Sequence, residues 1–401
     1  MESIHIALIG FGTVGKGIYE SIHEQREQLE SLLQRKVIVE GVLIKDGNVK
    51  REIDDEVLLT TNIDDLLGLP NLDVVFEAIN GVEPARTYLS KCIQRGCHIV
   101  TANKELMAHK GNELRNLAAN QKVGLRFEAA VAASIPILST LREGLKSNQI
   151  QQISGILNGT SNFILTEVQQ KNISFEHGLK LAQEYGYAEA DPTNDIEGWD
   201  AFYKILILSD LVYGKQPDWD DVVRKGISEV TSSDINKAEA LGLRIKHTAT
   251  IVPDIKGPII SVEPVALTPS HPFFHVTGVN NCLQLTGNLA GEITLQGPGA
   301  GAFPTASAMI EDFLSLYRNS SETRFYSKAE GEDERNNEWL LLGDITEADH
   351  QNILPMVEQG AYYMSGKRSE VEDFLRKFSQ VNFYPIHGQF AKSLLSQLVA
   401  I

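Results

Sequence analysis

Ile4-His5-Ile6-Ala7-Leu8-Ile9-Gly10-Phe11-Gly12-Thr13-Val14-Gly15 decides the fold. Its first six residues are a nearly unbroken apolar run, the mark of a strand buried on both faces. The next six are G-x-G-x-x-G, and Ile18, Ile22, Leu29 and Leu32 follow at helical spacing. Strand, glycine-rich turn and helix, in that order, are what a dinucleotide site requires. Gly10 permits the tight turn, Gly12 lets backbone approach a pyrophosphate, and Gly15 lets the helix close on the strand. Phe11, Thr13 and Val14 complete the loop, and the helix start offers free N–H groups and a positive dipole end to the phosphates.

Outward from this unit, strands and helices alternate. Residues 37–44 read as a second strand, ending at Lys45 and Asp46 with Lys50 and Arg51 close behind. An acid there suits the ribose hydroxyl of NAD and a base suits the extra phosphate of NADP, so the choice stays open. Residues 73–77 are a third strand, 84–95 a helix and 98–101 another strand, which runs into Ala102-Asn103-Lys104. Lys104 thus sits past the carboxyl end of a parallel strand, where doubly wound sheets place ligands, although a surface loop lysine fits that position equally well. Residues 123–131 read as the next strand, with a helix from about Pro136. The α/β Rossmann domain is expected over 1–150 plus 298–320, because Gly297 to Met309 opens a helix of small residues that returns to it.

Between them, residues 151–297 read as an inserted α+β domain with antiparallel strands at 244–252, 259–267, 282–286 and 293–295. Its most charged segment is Gly186-Tyr187-Ala188-Glu189-Ala190-Asp191-Pro192-Thr193-Asn194-Asp195, which leads into a helix with Ala201, Ile205, Leu208 and Val212 on its core face. Asp200 and Lys204 stand four apart on that helix and share one face. A solvated ion pair is the bland interpretation. A lysine held among carboxylates beside an apolar stripe is, alternatively, a positioned proton donor. Residues 321–401 read as a small C-terminal βαβαβ domain of regulatory or dimerising size, with strands at 339–344, 361–365 and 381–385 and helices at 348–359 and 369–378.

A formal net charge of −17 over 401 residues argues against nucleic acid or anionic membrane as a main partner. No apolar run approaches membrane-spanning length, and no signal peptide precedes the first strand. Cys92, Cys97 and Cys282 lack metal-type spacing, which suggests reduced thiols in a cytoplasm.

The chain resembles homoserine dehydrogenases over about its first 320 residues, through GFGTVG, VTANK, FEAAVAASIPI, ILNGTSN, GYAEADPTNDIEGWDAFYK and GPGAGAFPTASA in that order. The resemblance implies NAD(P)H-dependent reduction of L-aspartate 4-semialdehyde to L-homoserine, on the route to threonine and methionine, by a homodimer or homotetramer. It makes Lys204 the proton donor and gives Asp200 and Glu189 to the substrate. For a substrate carrying an ammonium and a carboxylate, Asp195 also suits the ammonium and the N–H groups at Gly159 and Thr160 suit the carboxylate, with Tyr187 a further candidate in the acidic loop. Lys104 falls beside cofactor and substrate, and Gly186 and Gly301 against the cofactor, which Gly10 to Gly15 would cradle. It assigns a monovalent cation, Na+ or K+, to Glu128 and the backbone of Val131, Ala133 and Ile135. This chain carries Ala133 and Ser134 where that loop usually has glycine. The tail has the rhythm of the ACT module found in many bacterial relatives, without its usual Pro-Gly turn.

Two other classes predict different behaviour. A phosphorylating aldehyde dehydrogenase needs an activated cysteine. A nucleotide sensor would bind cofactor without turning homoserine over.

Overall fold

Ser3–Ile9 is a strand in which Ile4, Ile6, Ala7, Leu8 and Ile9 are all buried, as an apolar run covered on both faces must be. The computed structural model describes residues 2–47, 51–318, 337–345, 353–376, 378 and 380–388. They form two compact units. One holds the chain through Ser147, Leu206–Gly214 and the chain from Gly297 through the helix Ala302–Leu316; the other holds Asn148–Ile205, Lys215–Gln296 and the described residues beyond 336.

The first unit is a parallel sheet. Its strands lie side by side as Leu58–Thr60, Lys36–Leu43, Ser3–Ile9, Val74–Glu77, His98–Thr101 and Leu125–Arg126. Strand order reverses between Ser3–Ile9 and Val74–Glu77, and such a switch point opens a crevice at the carboxyl ends. The helix Ala302–Leu316 packs here, with Ala306, Met309, Ile310 and Phe313 in one core with Ile6, Ile18, Phe76 and Val100. The expected return of this helix is therefore seen. The strand expected over 123–131 shortens to Leu125–Arg126, because the alanine-rich run after it turns helical at Ala129–Ala132. Helix periodicity through Leu32 is interrupted at Gln25, and Leu32 is exposed.

The second unit is built on a mixed sheet. Gly291–Pro298, Asn280–Gly287, Ile150–Ile156, Arg244–Val252 and Ile259–Leu267 follow one another across it. The C-terminal strands then continue it through Asn382–His387, Asn337–Leu342, Ala361–Gly366 and Ile353–Pro355. Alternation along Asn337–Leu342 explains the junction: Leu340 and Leu342 join Ile164, Ile235 and Ile245 in one core, while Trp339 and Leu341 join Val371 and Phe374 in another. One face of the tail thus belongs to the core of the insert. The helix expected over 348–359 is corrected where it is described: Ile353–Pro355 is a strand, since Pro355 has no N–H and keeps Leu354 extended. Residues 356–359 are likewise bridge and turn rather than helix, and 348–352 lie outside the described residues.

Candidate active site

In the first unit the glycine turn is under tight steric control. Gly10 has φ +100, and a Cβ there would stand 2.7 Å from the Ala78 carbonyl oxygen. A Cβ on Gly15 would stand 2.1 Å from the Gly10 oxygen, so only glycine lets the helix Thr13–Glu24 start this close to the strand. Gly12 differs, because apart from its chain neighbours nothing among the described residues lies within 4 Å of where its Cβ would be. That open space above a helix N-terminus fits a pyrophosphate. Gly301, at φ +117, opens the helix Ala302–Leu316, and Gly17 packs against Ala302. Lys45 and Asp46 are both exposed at the end of Lys36–Leu43, and Lys50 lies outside the described residues. Gly186 belongs to the second unit, in an exposed left-handed turn at φ +74.

Lys104 is half-buried at the first position of the helix Lys104–Gln121. Asn103 caps that helix by accepting the Leu106 N–H at 2.9 Å and donates from Nδ2 to the Gly81 oxygen at 2.8 Å. Behind it lies Glu77, fully buried, which accepts the Thr101 hydroxyl and, at 2.8 Å, the Ile79 N–H. Burial pushes its carboxyl up to about 7 against the pull of those bonds. With the folded value above the usual 4.5, the unfolded chain ionises first, so stability is lost as pH rises from about 4.5 to about 7 and is level above. Glu77→Gln keeps an acceptor for Ile79 without the charge. Its Tm relative to wild type should climb through that pH window, and a difference that stays flat from pH 4 to 8 contradicts the account.

The second unit gathers the charged constellation. Lys204 and Asp200 are 7% and 3% exposed, not solvated, and Lys204 Nζ donates to Asp200 Oδ2 at 2.7 Å and to the Leu157 carbonyl at 2.7 Å. Leu157 precedes the helix Gly159–Lys171, which Asn158 caps by accepting the Ser161 N–H at 2.7 Å. The Asn158 amide also donates to Asp200 Oδ2 at 2.8 Å and to Asp195 Oδ1 at 2.7 Å. The Thr160 hydroxyl donates to the Tyr187 carbonyl at 2.8 Å, bringing the acidic loop to the helix start. Glu189 and the Tyr187 ring are exposed along this loop. The first turn of the helix, with the positive end of its dipole, thus lies beside a buried ion pair.

Several polar partners here escape sequence reasoning. Asn158 is legible as a cap, but its bonds to Asp195 and Asp200 span 37 and 42 positions of the chain. His247 packs its ring under the Gly198 turn, is fully buried, and has its pKa pushed down to about 4 by desolvation. Lys246 is buried with two acceptors, Asn162 Oδ1 at 3.0 Å and the Val276 oxygen at 2.7 Å, and desolvation brings it down to about 7. Glu77 carried no signal beyond its place at a strand end.

The Glu128 loop is also closed by backbone. Glu128 accepts the Leu138 and Ser139 N–H groups at 2.7 Å each, and burial raises its carboxyl above the usual range. A cation bound in this loop would therefore draw chiefly on carbonyl oxygens such as those of Val131, Ala133 and Ile135. Among the described residues no cluster of three His, Cys, Asp or Glu could hold a metal ion. Ala133 has φ 45 and ψ −114, the first central position of a type II′ turn closed by Ile135 N to Ala132 O at 3.0 Å. That position favours glycine, so an alanine there carries strain of about 1–3 kcal/mol. Ala133→Gly should stabilise the protein by up to about 1 kcal/mol after the added chain entropy of glycine, read as a higher urea midpoint at unchanged slope.

Comparison with known proteins agrees with this geometry. The family profile described as homoserine dehydrogenase matches residues 136–314, and the one described as homoserine dehydrogenase, NAD binding domain, matches 10–128. A homoserine dehydrogenase of Bacillus subtilis strain 168 is 41% identical over 320 residues, 80% of this chain and 74% of that relative. The crystal structure of a homoserine dehydrogenase from Thiobacillus denitrificans superposes with a TM-score of 0.88 at 32% identity, covering 96% of this chain and 99% of that one. A hyperthermophilic archaeal homoserine dehydrogenase in complex with NADPH gives a TM-score of 0.68 at 27% identity, covering 78% and 97%. A glycine cradle at the switch point, a buried lysine–aspartate pair at a helix start and these matches lead to one conclusion: the chain belongs to the homoserine dehydrogenase family of NAD(P)-dependent oxidoreductases.

Proposed function

We propose that this chain catalyses the reversible reduction of L-aspartate 4-semialdehyde to L-homoserine, a step toward threonine and methionine, with Lys204 as the proton donor. The observation that carries this reading is the buried Lys204 ammonium, anchored by Asp200 and the Leu157 carbonyl one residue before a helix cap. When bound, the reduced nicotinamide supplies the hydride. Gly10, Phe11, Gly12, Thr13, Val14 and Gly15, with Gly301, Gly186 and Lys104, would hold that dinucleotide. Lys204 polarises the carbonyl oxygen and then protonates it, and a positioned acid of this kind contributes about 10²–10⁴-fold. Asp200 holds the ammonium in place. Glu189 and Asp195 suit the substrate ammonium, and the N–H groups at Gly159 and Thr160 suit its carboxylate. Tyr187 lines the same approach through its carbonyl bond to Thr160. We place self-association, to a homodimer or homotetramer, on the insert, whose sheet ends at the strand Gly291–Pro298; mass measured by light scattering checks it.

The cysteine alternative is disfavoured by burial: Cys92 and Cys282 are both pushed up to about 12, far from an activated thiolate. The deciding experiment follows L-homoserine oxidation at the nicotinamide absorbance with NAD and NADP in parallel. Turnover with at least one is expected. Cofactor binding without turnover with either would overturn the reading in favour of a sensor.

A further inference from the structure

We propose that Asn281 is a positioning residue for Lys204, fixing the carbonyl on which the lysine tip rests. This inference deepens the reading of Lys204 given above. The strand Asn280–Gly287 pairs with Ile150–Ile156 up to Cys282 opposite Ile156, so Asn281 stands one step past the last register pair, beside Leu157. There the Leu157 oxygen is taken by two side chains: Lys204 Nζ at 2.7 Å and Asn281 Nδ2 at 3.0 Å. Asp200 and the Leu157 carbonyl, both bonded to Lys204, are thus each held by a buried amide, Asp200 by Asn158 and Leu157 by Asn281.

Asn281 keeps this place at a disadvantage to folding. The side chain is fully buried, and among the described residues its Oδ1 has no hydrogen-bond partner. An orphaned buried acceptor costs about 1–3 kcal/mol, and a leucine of similar volume would remove it. The placement is not a loose accident of the loop either. Asn162 Nδ2 donates to the Gly278 oxygen at 2.9 Å and the Asn280 oxygen at 3.3 Å, while Lys246 holds Asn162 Oδ1 and the Val276 oxygen. The backbone leading to Asn281 is braced from beneath. What the amide does in return is to direct one carbonyl, and through it the ammonium.

The test is Asn281→Leu, with Asn281→Asp as a second variant of the same shape that has an acceptor where Leu157 needs a donor. For Asn281→Leu we expect kcat for homoserine oxidation to fall at least about tenfold, since small misplacements of a reacting group cost up to about 10²-fold. KM for homoserine and the cofactor dissociation constant should stay within about threefold, with Tm equal to wild type or higher. A purely structural asparagine would move kcat and Tm down together. In protein carrying 13C-labelled lysine, with Lys204 assigned by its loss in Lys204→Arg, the Lys204 ε-carbon resonance should shift in both variants. Wild-type kcat in both, or a kcat loss that merely tracks Tm, overturns the proposal, as does an unmoved Lys204 resonance. Should the wild-type protein fail to oxidise homoserine, the function assigned to the site is wrong, and the Lys204 resonance alone still decides whether Asn281 positions that lysine.

Discussion

Lys204→Ala is expected to lower kcat for homoserine oxidation at least ~100-fold while cofactor affinity, read by fluorescence titration, stays within about twofold. The magnitude follows from losing both the charge and the proton of a positioned acid. Lys204 is 7% exposed, so bulk water does not stand in for its ammonium. The substitution also removes the Lys204 ammonium from Asp200, which is 3% exposed. Breaking a buried pair costs about 3–5 kcal/mol, so a lower Tm is expected as well. Lys204→Arg separates the two effects. A guanidinium keeps the pair with Asp200 but releases its proton far less readily, so that variant should fold normally and still be slow. Near-normal turnover in the arginine variant would remove Lys204 from its role as acid.

Gly12→Val is expected to weaken cofactor binding about 5–150-fold, with a stability loss no larger than the roughly 1 kcal/mol of a poorer helix cap. Apart from the chain neighbours, no atom of the described residues lies within 4 Å of the added Cβ, so the packed fold barely feels it. A pyrophosphate lying over the helix start would, and overpacking of one to three methyl groups costs about 1–3 kcal/mol, or roughly 5–150-fold. Gly15→Ala should behave in the opposite way. Its Cβ would meet the Gly10 oxygen at 2.1 Å, so the turn itself must shift and Tm must fall. If Gly12→Val binds NAD and NADP like wild type, the dinucleotide does not cross this loop.

These two tests concern the features most open to reading in the chain, and the reason is physical. The glycine turn and its flanking strand obey local rules: a buried run of period-free apolar residues, then positions where a Cβ cannot fit. The spacing of Asp200 and Lys204 is likewise local, because one helical turn brings them together whatever surrounds them. Ala201, Ile205, Leu208 and Val212 are all buried for the same reason. What could not be read was decided by distant partners. That Lys204 is anchored rather than solvated depends on the Leu157 carbonyl 47 positions earlier. Asn281 and Glu77 look ordinary in sequence and acquire their roles from bonds to Leu157 and Thr101. Leu58–Thr60 was missed because a three-residue edge strand with exposed Leu58 and Leu59 has too little pattern to announce itself. In the tail, apolar alternation through Trp339–Leu342 was visible, but not that half of it completes the core of another segment.

The return of Ala302–Leu316 to the first unit has a consequence for how the protein is made. Met309 and Phe313 are fully buried in a core whose other members were synthesised long before. A ribosome adding about 5–20 residues per second takes roughly ten to thirty seconds to travel from Ser147 to the end of that helix. Throughout that interval the nascent nucleotide-binding half shows an open greasy groove, and it is still completed before the insert, whose core waits for Leu340, Leu342 and Ile386.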